Sequence, residues 1–213
     1  MIRVAQDDGV WTLTIDRPHK ANALTSAMLE SLIDAVARLE AAKARVMILT
    51  GAGQVFSAGA DLDEARAGLA TSPLWEELSG RIVALPCLTI AALNGTLAGG
   101  AFGMALACDL RLAVRGAKLF YPVMKLGFLP QPSDPQRIAA LIGPARAKMI
   151  LMAGAHIDAE EALAWGLVDR LCPPEAVMDR ARALAGDAAR ADATHIAAIK
   201  RLIPMVEPMQ TEG

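Results

Sequence analysis

The sequence predicts an α/β fold. Two observations lead there. Short apolar or alternating stretches recur ahead of glycine turns, each followed by a segment with helical apolar spacing. The part beyond Pro173-Pro174 then reads as Ala-rich helix. We see no linker and no repeat of fixed period, so the units belong to one globular body.

The elements follow in order. Asp7-Asp8-Gly9 is a turn signal, and Trp11, Leu13 and Ile15 alternate with Thr12 and Thr14 as a half-buried strand does. Asp16-Arg17-Pro18 ends that strand. A helix follows, capped by Thr25 or Ser26, with Met28, Leu29, Leu32, Ile33, Val36 and Leu39 on one face. Val46 to Thr50 reads as a buried strand, and Gly51-Ala52-Gly53 as a loop. Leu88 to Leu93 is a second buried strand, closed by Asn94-Gly95. A short apolar helix spans Ala101 to Cys108, opened by Gly99-Gly100. Asp109 to Val114 and Lys118 to Tyr121 are strands split by Gly116. Helices are expected over 135–142, 145–152 and 159–165. The last has Asp158 and Glu161 at capping-box spacing and Gly166 as its stop. Leu167 to Cys172 is a short strand.

Composition narrows the function. With 54% apolar and 21% charged residues, the 213-residue chain can bury on the order of 70% of its unfolded surface. A net charge of −2 without a basic block gives nucleic acid little to bind. No apolar run reaches membrane-spanning length, and Met1-Ile2-Arg3-Val4 lacks the apolar core of a secretion signal. Cys87, Cys108 and Cys172 are odd in number and show no CxxC spacing, which fits reduced thiols in a cytoplasmic protein. No His/Cys/Asp cluster has the spacing of a metal site.

Two segments could carry chemistry. In Phe56-Ser57-Ala58-Gly59-Ala60-Asp61-Leu62, a strand meets a glycine turn and then a helix, and Asp61 with Glu64 also makes sense as a plain capping pair. In Ile90 to Ala101, a strand leads to a helix starting at Gly99-Gly100. The first N–H groups of a helix lack intrahelical partners and lie at the positive end of its dipole. Glycine lets a ligand carbonyl approach them, so a developing oxyanion can be stabilised there. Close packing of helix on strand explains the same glycines. Ala101 stands where a phosphate-binding loop would need Lys, and GxGxxG is absent.

Taken together, the two segments resemble the enoyl-CoA hydratase/isomerase (crotonase) family. Ile15-Asp16-Arg17-Pro18 with Asn22-Ala23-Leu24 is similar to the family's N-terminal signature, and Ala105 to Ala113 to its central helix-to-strand passage. Pro122, Lys125-Leu126-Gly127, Pro130, Gln136-Arg137, Ala159 to Leu163 and Trp165 to Val168 follow in the same order. The match is collinear from about Val10 to Pro173. It implies a spiral of strand–strand–helix units as a core over 1–173, and a helical C-terminal segment over 174–213. It also implies a homotrimer or pair of trimers, and a coenzyme A thioester as ligand with no separate cofactor. Oxyanion-hole N–H groups fall on Ala60 and Gly100, and the ligand's contacts on Ala23, Ala58, Asp61 and Leu62.

Four departures qualify the resemblance. Hydratases use two carboxylates to move protons as water adds across the double bond. The positions matching the two family glutamates are Gly103 and Val123, 20 residues apart and in the family's register, and neither can transfer a proton. Asp63 stands where relatives often carry Lys near the coenzyme. The family's Gly-rich turn is replaced by Gln131-Pro132-Ser133-Asp134-Pro135. The chain stops at Gly213, with Pro204 and Pro208 breaking its last helix, so the trimer is expected to be less secure than in relatives. Asp134 is the first candidate for a substitute acid or base, though Asp before Pro is also a common helix start. Tyr121 reads as core or rim, and His19, His156 and His195 as surface. The expectation is an acyl-CoA isomerase, decarboxylase or related lyase working by oxyanion stabilisation. The alternative is a non-catalytic CoA-thioester-binding or structural subunit.

Overall fold

The computed structural model describes residues 1–203. Pro204 and Pro208, expected to break the last helix, lie outside the described residues. The chain opens with the hairpin β1 (Ile2–Asp7) and β2 (Val10–Ile15), turning through Asp8 and Gly9 at positive φ. Helix α1 (Ser26–Ala41) has Thr25 as its cap, accepting the Met28 N–H, and buries the predicted apolar face. Three turns of a spiral follow. The first comprises β3 (Val46–Gly51), β4 (Val55–Ser57), α2 (Leu62–Arg66) and α3 (Leu74–Ala84). The second comprises β5 (Leu88–Leu93), β6 (Thr96–Ala98) and α4 (Ala101–Leu106). The third comprises β7 (Leu110–Val114), β8 (Lys118–Phe120) and α5 (Val123–Leu126). Then come α6 (Asp134–Leu151), β9 (Ile157–Asp158), α7 (Ala159–Trp165), β10 (Arg170–Cys172), α8 (Val177–Arg190) and α9 (Ala193–Leu202).

Each turn of the spiral gives one strand to each of two sheets. The larger sheet has the order β1-β2-β3-β5-β7-β10, and the smaller has β4-β6-β8-β9. Beyond the opening hairpin the larger sheet is parallel throughout, whereas β9 joins the smaller one antiparallel to β8. Strands covered on both faces read as continuous apolar runs, which is why β3 and β5 are almost wholly buried.

Two asparagines fix the first turn of the spiral. Asn22, at φ 55°, donates through Nδ2 to the carbonyls of Ala52 (2.9 Å) and Val55 (2.6 Å). Asn94 accepts the Gly51 N–H at 2.9 Å and donates to Gly53 O at 2.9 Å. Both hold the β3–β4 connection, so they serve the scaffold under the candidate site. At the other end of the sheet, Lys200 of α9 donates to Asp109 (2.8 Å) and to Cys87 O (2.9 Å). Helix α8 buries Val177, Ala181 and Ala185 against the larger sheet. The C-terminal segment therefore completes the core.

Helix α6 breaks at Gly143, with φ 80° and Pro144 next, as the separate helices predicted there require. Its start differs from expectation. Ser133 holds the cap position, while Asp134 is the first helical residue and fully buried. Helix α3 occupies a stretch in which the sequence suggested no element. Among the described residues, no helix is long and apolar enough to cross a membrane, and no group of three His, Cys, Asp or Glu residues could hold a metal ion.

Candidate active site

The loop after β4 pairs with Leu24 in a single parallel bridge. Leu24 N–H donates to Gly59 O and Asp61 N–H to Leu24 O, each at 2.8 Å. The Ala58 N–H reaches Ala21 O (3.0 Å) and the Gly59 N–H reaches Ser57 Oγ (3.1 Å). Strand-like alternation turns the Ala60 N–H the other way, and among the described residues it has no acceptor. A second free donor lies on the loop before α4. Gly99, at φ 57°, donates to Phe120 O at 3.1 Å, and the Gly100 N–H at the head of α4 has no acceptor among the described residues.

The two loops pack directly on each other. A Cβ on Gly59 would lie 2.9 Å from Ala98 O and 3.3 Å from Gly99 Cα, and Gly59 also has a positive φ of 89°. Only glycine allows this approach. Ala60 and Gly100 line one cavity of about 200 Å³. Ala58, Leu62 and Val123 line it too, with Trp75 against the Gly100 backbone. Its rim is apolar: Leu62, Leu126 and Leu129 are exposed. Among the described residues none of the lining is a carboxylate; Tyr121, Gln131 and Trp75, whose indole N–H is taken by Leu69 O, are the lining residues with polar side-chain atoms.

Other predicted positions lie outside the lining. Ala23 offers its carbonyl to Arg17 Nη1 at 3.1 Å. Asp61 bonds the same guanidinium at 2.7 Å and caps α2 through the N–H groups of Asp63 and Glu64. The Arg17 hydrogen bond holds the Asp61 carboxyl below its ordinary range. Glu64 does not complete a capping box; it binds the Ser26 N–H at 2.7 Å, tying α2 to α1. A larger cavity of about 640 Å³ lies between the β5–β7 side of the main sheet and α8–α9, lined by residues such as Leu88, Cys108, Ile196 and Ile199. It touches none of the predicted site residues.

Gly103, matched to one family glutamate, is not among the residues that line the cavity, whereas Val123 is. A Cβ on Gly103 would lie 2.9 Å from Asp134 Oδ1 and 3.4 Å from Oδ2. The space a side chain at 103 would enter is filled by a carboxylate from α6. That carboxylate accepts the Tyr121 hydroxyl at 3.0 Å through Oδ2, while Oδ1 has no partner among the described residues. The Tyr121 oxygen also receives the Gln131 N–H at 3.3 Å, and the ring stacks on Phe102. Burial pushes the Asp134 pKa up to about 7, against the pull of Tyr121 and Arg137 and with a further push from Glu76. Burial and the Asp134 charge raise the Tyr121 phenol well above its usual range. Glu76, on α3, binds the Ser133 N–H and hydroxyl. Sequence reasoning ranked Asp134 first among substitute acids but missed Trp75 and Glu76. Pro73 provides no side-chain cap for α3, so the local start signal was weak.

A two-sheet α/β spiral with two unpaired backbone donors at one cavity defines a class of protein rather than a single activity. The family model for enoyl-CoA hydratase/isomerase matches residues 5–209, and the chain belongs to that family. A probable enoyl-CoA hydratase of Bacillus subtilis is 37% identical over 220 residues, covering 100% of this chain and 85% of its own length. A probable enoyl-CoA hydratase of Mycobacterium bovis is 34% identical over 189 residues, covering 86% of this chain and 73% of its own. The solved enoyl-CoA hydratase from Bacillus anthracis superposes with a TM-score of 0.88 at 34% identity, covering 95% of this chain and 81% of that one. These likenesses make the architecture the crotonase fold.

Proposed function

We propose that this protein binds an acyl-CoA thioester at the Ala60–Gly100 cavity and stabilises its enolate with those two backbone N–H groups. The observation that carries the reading is that both donors lack an acceptor among the described residues and sit on loops packed together around one cavity. A thioester that becomes an enolate gathers charge on its carbonyl oxygen. One preorganised donor aimed at that charge in a dry site is worth about 3–4 kcal/mol. The Ala58 to Leu62 segment supplies the remaining ligand contacts in this reading, and the functional unit is a homotrimer or a pair of trimers.

The reaction is not ordinary hydration. Adding water across a double bond needs an acid and a base in the cavity, and the positions matched to the family glutamates are Gly103 and Val123. Enolate formation without water addition fits the apolar lining better. Decarboxylation fits best, because departing CO2 leaves its electron pair to form the enolate without a base; isomerisation comes next. The carboxylate-free lining favours one other reading, binding of CoA thioesters without turnover. A screen of the purified protein against crotonyl-CoA, a 2-carboxyacyl-CoA and saturated acyl-CoAs separates these. Binding with loss of CO2 or double-bond migration supports the first reading, and binding alone supports the second. Crotonyl-CoA hydration at roughly 10 s⁻¹ or more, an ordinary enzymatic rate, refutes the exclusion of hydratase chemistry.

A further inference from the structure

We propose that Tyr121 is the proton-transferring residue of this cavity, with Asp134 behind it as the group through which it works. The inference rests on the acyl-CoA reading above and assigns that site its missing proton chemistry. Tyr121 lines the cavity together with the two donor loops, whereas Asp134 does not. The phenol oxygen bonds the Asp134 carboxylate on one side and receives the Gln131 N–H on another. When Asp134 carries a proton, it and Gln131 both donate to that oxygen. The phenol hydrogen is then free of Asp134, and in this proposal it turns toward the ligand in the cavity that Tyr121 lines.

The positions of Gly103 and Asp134 support the same assignment. A buried carboxylate, with an oxygen that has no partner among the described residues, lies 2.9 Å from where the Cβ of a side chain at 103 would be. A longer side chain at 103 would force that carboxylate to shift. The acid from α6 sits against Gly103, one residue removed from the cavity. Tyr121 bridges that gap.

The steps balance. To form an enolate, the Cα–H bond of the thioester breaks and its pair becomes the enolate double bond, with the carbonyl pair moving to the oxygen held by Ala60 and Gly100. The proton passes to the Tyr121 oxygen as the phenol proton passes to Asp134 Oδ2. After decarboxylation the same path runs in reverse: the enolate carbon takes the phenol proton and Tyr121 takes that of Asp134. Phenolate never forms, in keeping with a phenol held above its ordinary pKa. The charged or titratable groups facing Asp134 are Tyr121, Arg137 on the same helix and Glu76 on α3.

The test is deuterium exchange at the α-carbon of butyryl-CoA in D2O, with its Kd measured by calorimetry on the same full-length proteins. The wild type should exchange, and its rate should rise with pH through about 7 as Asp134 ionises. Tyr121→Phe keeps the ring on Phe102 and should lose about 10²-fold or more in exchange with little change in Kd. Asp134→Asn should lose both exchange and the inflection near neutrality. If that variant fails to fold, Tyr121→Phe decides alone. Exchange that survives Tyr121→Phe, an inflection that survives Asp134→Asn, or butyryl-CoA binding without wild-type exchange overturns the relay and leaves the binding site standing. Absence of butyryl-CoA binding overturns the acyl-CoA reading and the relay with it.

Discussion

Replacing Gly103 with alanine probes the contact that separates this site from one with a glutamate on α4. The new methyl carbon would lie 2.9 Å from Asp134 Oδ1 and 3.5 Å from Cγ. Asp134 is fully buried and tied to Tyr121, so it has little room to retreat. Overpacking of this kind costs about 1–3 kcal/mol. Alanine in a helix regains about 0.5–1 kcal/mol over glycine. The expected net loss is about 0–2.5 kcal/mol, or a Tm lower by up to roughly 10 °C for a chain of this size. Denaturant unfolding of Gly103→Ala, Asp134→Ala and the double variant measures it as a cycle. With the carboxylate gone, the methyl should cost nothing or stabilise. A strictly additive cycle would refute the claim that Asp134 fills the side-chain space of residue 103.

Asp134 also predicts a pH signature. Its folded pKa of about 7 lies above its ordinary value of 3.8, so between these the folded state binds more protons than the unfolded one. Its contribution to stability should therefore fall as pH rises from 4 to 7 and level off above, with a slope of at most about 1.4 kcal/mol per pH unit. Denaturant midpoints of Asp134→Asn across this range should lack that component, and identical curves for both proteins would contradict it. Burial raises the thiol pKa of Cys87 to about 11 and of Cys108 to about 12, so thiol reagents should label them only on unfolding; rapid labelling of the native protein refutes their burial. Light scattering should give the mass of a trimer or its multiple, and a monomer at micromolar concentration would contradict the proposed assembly.

Local signals were the legible part of the fold. The Trp11-Leu13-Ile15 alternation is β2, and Asp158 caps α7 with Gly166 in the left-handed conformation at its end. Such features depend on residues a few positions apart. The division of strands between two sheets was not legible, because it rests on pairings across the whole chain. The same limit explains the site. The Gly59 and Gly99 turns announced themselves by composition, but their packing, so close that a Cβ on Gly59 would lie 3.3 Å from Gly99 Cα, is a long-range fact. Asp134 before Pro135 suggested a cap by the local rule, and the buried space at Gly103 overrode it. Asp61 and Glu64 had capping-box spacing, yet Ser26 on another helix took the glutamate.

The central claim is that the Ala60 and Gly100 N–H groups receive a thioester oxygen. The most direct measurement is an isotope-edited infrared difference spectrum of butyryl-CoA carrying carbon-13 at its carbonyl. Two preorganised donors weaken the C=O bond, so the bound carbonyl band should move to lower frequency than in water, where donors are numerous but unaligned. A band at the solution frequency or higher in a demonstrably bound complex would mean that the two donors do not hold the carbonyl, and the enolate-stabilising account would fall.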